Sequence, residues 1–237
     1  MKLFIIITFL TLISFESKSK DLLVVTENWP PYNYLDSKGK LTGESTEVVN
    51  KILSNASISF DISLYPWARS LQIASDRKNT LIYSIYKTKE RENKFHWFCP
   101  ILKPTPMHFY KMTTNQHISA NDITDIKNYT VGINRSDWIH SHLSSLGFID
   151  GKHLDLAAET QVNINKLVAG RIDLIVNSEL GMQLALKKHN LPTHAFTKLL
   201  SLDLTGKNDL CMAINKQSSP DLIKKITQAF NRLKDKV

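Results

Sequence analysis

Residues 83–98 read YSIYKTKERENKFHWF, and this stretch decides how the rest of the chain is interpreted. An apolar, strand-like run ends in small and aromatic residues, turns through a Thr-x-Glu-Arg element at residues 88–91, and re-enters an aromatic run. A guanidinium held at the exit of a strand can grip a carboxylate through two parallel hydrogen bonds. Arg91 is therefore a candidate anion-binding residue. The alternative is a surface turn in which Arg91 merely pairs with Glu90 or Glu92.

Strands and helices alternate in the first third of the sequence. Residues 22–27 indicate a buried strand, and residues 58–64 alternate apolar and polar side chains with a period of two, which is typical of a strand. Apolar residues recur at helical spacing over residues 48–53, and Pro66 marks a second helix start. A third strand is predicted at residues 81–86. This order predicts an α/β fold with a mostly parallel sheet.

The same alternation continues to the end of the chain. Strands are predicted at residues 107–111, 129–134, 154–156, 172–176 and 209–214. Helices are predicted at residues 138–146 and 161–169, in a further segment that ends at residue 189, and from residue 218 onward. Two α/β units of unequal length, the second inserted before a final return of the chain, fit a two-lobed fold better than one continuous sheet.

The N-terminus has the pattern of a secretory leader. Residues 3–15 are mostly apolar and follow Lys2, but this run is too short for a membrane span, which takes about 20 residues. Small residues at Ser17 and Ser19 predict cleavage before Lys20. No Cys follows the apolar run, so a lipid anchor is not expected. We expect an exported protein, in the periplasm of a Gram-negative host.

Charge and cysteine content narrow the classes of function. The net charge of +8 suits an anionic ligand or an acidic partner, whereas export argues against nucleic acid. Cys99 and Cys211 permit one disulfide in an oxidising compartment. His140 and His142 are two residues apart and would point to nearly opposite sides of a helix. No metal site and no cofactor are predicted.

Polar and aromatic side chains follow the predicted strands. Ligands of α/β sheets bind at the carboxyl ends of strands, where loops and helix N-termini meet. The candidates are Glu27, Trp29 and Tyr32; Trp67 and Arg69; Ser84, Tyr86 and Arg91; Asn134, Arg135 and Ser136; and Asn177, Ser178 and Glu179. Their convergence on one edge predicts a ligand pocket.

Other interpretations of these residues remain open. Trp29 and Trp67 also suit the core of the first lobe, because aromatic side chains bury a large area. Arg135 also suits a solvated helix start, and Glu179 a partner of a helix N-terminus. We assign Trp138 to the core rather than to ligand contact.

The Thr-x-Glu-Arg element and the order of strands and helices resemble the type II periplasmic solute-binding proteins, in particular the amino-acid-binding members of extracellular family 3. The resemblance covers essentially the whole mature chain. It implies a first lobe from residues 20–103 and 207–237, a second lobe from residues 104–206, and hinge segments near residues 100–106 and 204–210. Cys99 and Cys211 would then lie side by side at the hinge, as a disulfide or as two buried thiols.

The resemblance also implies roles for single residues. Arg91 would clamp a ligand carboxylate, Ser84 and Tyr86 would hydrogen-bond the ligand, Glu27 would supply an acid after the first strand, and Trp67 and Arg69 would line the cleft. Two departures leave the ligand class open. Amino-acid binders of the family carry a glycine- and threonine-rich turn where this chain has residues 134–137. They also usually carry an Asp that holds the ligand α-ammonium where this chain has Asn177. Either Glu179 substitutes for that Asp, or the ligand lacks the amine.

Three functions are compatible with these residues and with the resemblance. The favoured one is a monomeric, non-catalytic periplasmic binding protein that closes on a small carboxylate-bearing, amino-acid-like solute and delivers it to an ABC-type permease or a membrane sensor. The second is an exported enzyme on the same scaffold, similar to a dehydratase of prephenate-like acids, with Glu27 or Glu179 as the acid. The third is an adhesion or scaffold protein without a ligand.

Overall fold

The computed structural model describes residues 21–202 and 209–234. The predicted leader, its cleavage point before Lys20 and most of the second predicted hinge segment lie outside these ranges. The described residues form two five-stranded sheets flanked by helices, and a short two-stranded hairpin. The predicted two-lobed α/β fold is confirmed.

The strands and helices follow one another along the chain with short connections. The strands are β1 (Leu22–Thr26), β2 (Tyr34–Leu35), β3 (Leu41–Thr42), β4 (Phe60–Leu64), β5 (Thr80–Ile85), β6 (Phe95–Leu102), β7 (Met107–Met112), β8 (Val131–Asn134), β9 (Leu154–Ala157), β10 (Leu174–Ser178), β11 (Phe196–Leu202) and β12 (Leu210–Asn215). The helices are α1 (Glu44–Asn55), α2 (Trp67–Asp76), α3 (Lys89–Glu92), α4 (Trp138–Ser145), α5 (Thr160–Val168), α6 (Glu179–Lys188) and α7 (Pro220–Lys234).

The first sheet has the order β4-β1-β5-β12-β6, and the second has the order β11-β7-β10-β8-β9. We call the first sheet with its helices, residues 21–102 and 209–234, the first lobe. The second lobe is the second sheet with its helices, residues 107–202. Residues 103–106 join the two lobes on the forward crossing of the chain.

The strand directions differ from the mostly parallel sheets predicted from the sequence. In the first sheet, β1 is parallel to β4 and β5, whereas β12 is antiparallel to β5 and β6. In the second sheet, β8 is parallel to β9 and β10, whereas β7 is antiparallel to β10 and β11. Each sheet is therefore mixed. The antiparallel strands β7 and β12 are those by which the chain enters the second lobe and returns to the first.

Burial explains why these segments form sheets and helices. Every residue of β5 and β12 is buried, as expected for central strands covered on both faces. Helix α1 buries Val49, Ile52 and Leu53 against the first sheet, and α7 buries one face in the same core. Phe98 and Phe230 pack with ring centroids 5.7 Å apart, which joins β6 to α7. The hydrophobic core of the first lobe therefore fixes the positions of the strands whose ends lead into the candidate site.

Two findings concern the predicted cysteine pair and the membrane. Cys99 on β6 and Cys211 on the neighbouring β12 form a disulfide. Among the described residues, no helix combines the length and the apolar character needed to cross a bilayer.

Candidate functional site

The carboxyl ends of β1, β8 and β10 face one another across a crevice between the lobes. Glu27 follows β1 in the first lobe, while Asn134 ends β8 and Asn177 lies in β10 of the second. All three line the crevice, and Trp29 forms part of its first-lobe wall. The space at the base of the crevice is about 20 Å³, slightly more than the roughly 10–15 Å³ that one water needs. This space does not hold an amino-acid-sized molecule, whereas a neighbouring pocket that shares Glu27 and Thr160 with the crevice measures about 240 Å³.

Arg91 is held at the first-lobe side of this crevice. It is 5% exposed although it belongs to a helix of only four residues. Its Nη1 donates to the Tyr86 carbonyl at 3.2 Å, and its guanidinium carbon lies 5.3 Å from the centre of the Trp67 ring. Burial lowers the pKa of Arg91, and the charges of Asp137, Glu90 and Glu27 oppose that shift. The surface-turn interpretation of Arg91 is therefore wrong.

Two donors of the first lobe converge on one oxygen of the second. Arg91 Nη2 donates to the Ser136 carbonyl oxygen at 2.9 Å, and Trp67 Nε1 donates to the same oxygen at 2.7 Å. Ser136 has φ of 61°, in the left-handed region that non-glycine residues seldom adopt. The turn after β8 thus presents its carbonyl oxygen to a charged and a neutral N–H at once.

Glu27 forms the polar floor of the crevice. It is 7% exposed, and its Oε2 accepts a hydrogen bond from Asn134 Nδ2 at 3.3 Å across the lobes. Burial raises the pKa of the Glu27 carboxyl well above its usual value, and the negative charge of Asp137 raises it further. The Asn134 hydrogen bond and the charge of Arg91 act in the opposite direction.

Asp137 is the second acid of the crevice, and its place there was not predicted from the sequence. It lines the crevice next to Ser136, and its Oδ1 caps the N-terminus of α4 by accepting from the Trp138 N–H. Desolvation raises the pKa of the Asp137 carboxyl, and the nearby Arg91 charge partly counteracts this. A position directly before a helix is typical of an ordinary capping residue, which concealed the second role of Asp137.

Aromatic rings form a continuous wall beside these charges. Tyr86 packs 6.3 Å from Trp29 within the first lobe and 5.0 Å from Trp138 of the second lobe. Trp29 in turn meets the edge of Tyr32 at 4.6 Å. Burial raises the pKa of the Tyr86 hydroxyl. Trp138 belongs to the core, as predicted, and its ring also reaches the interlobe surface.

Comparison with known proteins assigns the family. The model for bacterial extracellular solute-binding proteins, family 3, matches residues 22–236. The chain belongs to this family. No curated protein sequence matches the chain significantly.

Three solved structures have the same fold as this chain. A histidine kinase sensor domain similar to periplasmic binding proteins has a TM-score of 0.73 and 15% identity, over 92% of this chain and 91% of that one. An ancestral arginine-binding protein bound to arginine has a TM-score of 0.75 and 18% identity, over 90% and 92%. An amino acid ABC transporter substrate-binding protein from Streptococcus pneumoniae, bound to L-arginine, has a TM-score of 0.72 and 19% identity, over 91% and 88%.

Most of the predicted site residues lie at the crevice or in its walls. The structure brings Arg91, Tyr86, Trp67, Glu27, Trp29, Asn134 and Asn177 to the crevice or its walls. Ser84 lies deeper, where it hydrogen-bonds the Asn33 side chain. Asn33 Nδ2 in turn donates to the Glu27 carbonyl at 2.6 Å. Ser84 therefore supports the loop after β1.

Three predicted residues lie elsewhere in this family 3 fold. Arg69 and Arg135 are exposed and do not line the crevice. The Glu179 side chain is 70% exposed, its carboxylate lies 3.8 Å from Lys198, and it lines a separate pocket beside Pro31 of the first lobe and the crossing residue Thr105. Each follows a strand end by only one to five residues, but its side chain points outward. The position of these residues in the sequence indicates where their backbone lies, near a strand end. It does not indicate the direction in which the side chain points.

Two further residues of the crevice were not predicted from the sequence. Thr160 and Asn163 lie on α5, where Thr160 Oγ1 accepts from Asn134 Nδ2 at 2.9 Å. Asn163 Nδ2 donates to Asn134 Oδ1 at 3.2 Å. Both line the crevice. The described residues contain no group of three His, Cys, Asp or Glu side chains suited to a metal ion.

Proposed function

We propose that this protein binds a small, carboxylate-bearing, amino-acid-like solute between its lobes and encloses it by lobe closure, without catalysing a reaction. The observation that carries the proposal is the convergence of Arg91 Nη2 and Trp67 Nε1 on one oxygen. When the lobes separate, both donors lose the Ser136 carbonyl. A ligand carboxylate is the natural replacement, because its oxygens accept charge-assisted hydrogen bonds that are about twice as strong as neutral ones.

The location of the donors supports the proposal. Arg91 is buried beside Trp67, so solvent does not satisfy its remaining N–H groups in the closed arrangement. A guanidinium in such a position favours a planar anion that fits its fork of donors. The aromatic wall formed by Trp29, Tyr86 and Trp138 then covers the apolar part of the solute.

Delivery of the solute is part of the same proposal. The protein is exported through a cleavable leader, acts as a monomer in the periplasm, and presents its closed form to an ABC-type permease or a membrane sensor. The similar structures support both destinations, since one is a histidine kinase sensor domain and another an ABC transporter substrate-binding protein.

Differential scanning calorimetry with single L-amino acids and organic acids tests the proposal. A ligand at 100 times its Kd stabilises the folded state by about 2.7 kcal/mol, which raises Tm by roughly 5–10 °C in a chain of this size. We expect Arg91→Ala to abolish this rise and Arg91→Lys to reduce it, because Lys lacks the forked donors.

Arg69→Ala is the matched control. It removes the same charge from an exposed position of the first lobe, outside the crevice. The rise in Tm should survive this change. A ligand response that Arg91→Ala leaves intact would overturn the site assignment, and no response to any compound would favour a scaffold without a ligand.

One observation favours a second candidate function. A buried carboxyl whose pKa is raised, as at Glu27, is suited to protonate a leaving group at neutral pH. An enzyme of the dehydratase type predicts that a compound which stabilises the protein is also consumed. Incubation of each stabilising compound with the wild type and with Glu27→Gln, followed by NMR, separates turnover from binding alone.

A further inference from the structure

The first lobe carries a groove that shares no lining residue with the crevice. It is lined by Val48 and Ile52 of α1, by Phe230 and Leu233 of α7, and by residues 100–103, where β6 ends and the crossing to the second lobe begins. The groove measures about 490 Å³, compared with about 20 Å³ at the base of the crevice. Pockets that hold small molecules typically measure roughly 300–1,000 Å³. The groove is therefore large enough for a ligand of its own.

The groove leaves apolar surface accessible that the core of the first lobe does not use. Helix α7 meets β6 at Phe98, which packs 5.7 Å from Phe230, and the lining residues of β6 come after this contact along the strand. Val48, Leu102 and Leu233 are only half-buried. Accessible apolar surface that is gathered in one concave place is typical of a binding site.

The lining of the groove has a simple composition. Of the eight described residues that line it, seven are apolar and the eighth is Lys103, which is exposed. A Lys side chain can lay its alkyl stem along apolar surface while its ammonium group stays in water and donates hydrogen bonds. The lining is therefore complementary to a molecule with a long apolar chain and a single anionic end. A small polar solute, such as the one proposed for the crevice, would find only one polar partner here.

The size of the lining favours a small molecule over a protein partner. A stable protein–protein interface takes roughly 20–30 residues on each side, whereas this groove is confined to eight residues. The net charge of +8 also favours an anionic ligand over a neutral or cationic one.

We propose that the groove between α1, α7 and the end of β6 binds a free fatty acid of medium chain length, with the alkyl chain between the two helices and the carboxylate at Lys103. The inference does not depend on the proposed function, because the groove and the crevice take ligands of different chemical classes.

The first experiment varies the length of the alkyl chain. Isothermal titration calorimetry gives Kd for the series of straight-chain acids from butanoate to decanoate, each below its critical micelle concentration. We expect Kd to fall about fourfold for each added methylene, the factor that follows from burying one such group. The gain should end when the chain outgrows the groove. If no acid of the series binds, the inference is overturned.

Lys103→Glu tests the anionic end of the ligand. The variant loses an exposed ion pair and adds a like charge, so the affinity for octanoate should fall by a factor of about two to thirty. Uncharged 1-octanol should bind the wild type and Lys103→Glu equally. Lys216→Glu is the matched control, because Lys216 is an exposed residue of the first lobe outside the groove. A Kd for octanoate that is the same in the wild type and Lys103→Glu would contradict the role of Lys103.

Val48→Gln and Leu233→Gln test the apolar walls. Both side chains are half-buried and lie on different helices, so one variant still tests the groove if the other folds poorly. Each should weaken octanoate and 1-octanol alike, by about threefold to tenfold, because part of the apolar contact is lost. Ile149→Gln replaces a residue of the second lobe that is 54% exposed, and it should bind like the wild type. Unchanged binding to both wall variants would place the ligand elsewhere.

The crevice is the competing site for octanoate, since Arg91 is proposed to hold a carboxylate. Arg91→Ala should leave the Kd of octanoate unchanged. If Arg91→Ala weakens octanoate and neither Lys103→Glu nor Val48→Gln does so, the acid binds in the crevice. The groove inference then fails while the carboxylate clamp stands.

Sedimentation velocity distinguishes the remaining occupant, a second copy of the chain. We expect the same monomeric sedimentation coefficient with and without octanoate. A dimer that Val48→Gln dissociates would show that the groove is a contact between copies, and it would overturn the fatty-acid site.

Discussion

At the scale of single residues, the carboxyl of Glu27 links the stability of the fold to pH. Its pKa is raised in the folded protein by burial and by Asp137, whereas in the unfolded chain it returns to the ordinary range near 4.5. Between these two values the folded state binds more protons than the unfolded state. The free energy of unfolding therefore falls as pH rises through this window.

Glu27→Gln tests this linkage. We expect the variant to lose the decline in stability above about pH 4.5, which for a single group has a slope of up to about 1.4 kcal/mol per pH unit. The variant should be as stable as the wild type at low pH and more stable at neutral pH. Urea titrations at several pH values give the slopes.

Glu47→Gln serves as the comparison for Glu27→Gln. Glu47 is an exposed residue of α1, so its replacement should leave the pH slope unchanged. An identical slope in the wild type and Glu27→Gln would show that Asp137, whose pKa is also raised, accounts for the decline.

The residues of the site differ in how far the sequence revealed them. Arg91 and Trp67 lie in short elements with a recognisable composition, so the resemblance identified both. Asn163 lies in the middle of α5, where nothing in the local sequence separates a crevice residue from an ordinary polar helix residue. Its place in the crevice depends on close contact with Gly132, which is distant in sequence. Such a pairing is a tertiary property.

At the scale of strands and helices, the disulfide joins the two strands through which the chain leaves and re-enters the first lobe. Cys99 lies on β6, which leads to the second lobe, and Cys211 lies on β12, which returns from it. The 112 residues of sequence separation span the whole second lobe. Closing so long a loop restricts the unfolded chain.

Replacement of both cysteines by Ala should lower the free energy of unfolding by about 2–5 kcal/mol. Urea denaturation of the wild type and of the double variant measures the loss. A reducing agent should destabilise the wild type by a similar amount and leave the double variant unchanged. Equal midpoints for the oxidised wild type and the double variant would show that the bridge contributes nothing to stability.

Most of the regular elements could be predicted from periodicity, and the exceptions have physical reasons. The strands β1, β5 and β10 and the helices α1, α4 and α7 lie close to their predicted ranges. Strand β6 was not recognised as one strand, because Pro100 interrupts it. The structure tolerates this proline since β6 is an edge strand, and the ladder to β12 shifts register between Leu210 and Met212, opposite the proline.

At the scale of the whole molecule, the described residues join the lobes across the crevice through a few polar contacts and one ring contact. They are the bonds of Arg91 and Trp67 to Ser136, the bond of Asn134 to Glu27, a 3.4 Å contact of Ser178 Oγ with the Pro30 carbonyl, and the Tyr86–Trp138 ring pair. A neutral hydrogen bond is worth only about 0.5–1.5 kcal/mol net, and one to a charged group about 1.5–3 kcal/mol. We therefore expect the closed arrangement to be in equilibrium with an open one.

Trp67→Phe should shift this equilibrium toward the open form. The ring that covers Arg91 is kept, whereas the N–H donor to Ser136 is lost, and the ratio of closed to open molecules should fall by a factor of about two to twelve. Small-angle X-ray scattering measures the change as a larger radius of gyration. Trp97→Phe is the control, because Trp97 Nε1 donates to the Glu92 carbonyl within the first lobe. An unchanged radius for Trp67→Phe would show that this bond does not hold the lobes together.

The hydrogen bond between the Trp67 indole and the Ser136 carbonyl also gives the protein a built-in optical signal. Indole emission depends on the polarity of its surroundings, and separation of the lobes would exchange a fixed carbonyl for mobile water. Trp29 and Trp138 lie on the same crevice, so three of the four tryptophans report on it. Capture of a solute can thus be followed by intrinsic fluorescence on unlabelled protein, with Trp97 as the constant background.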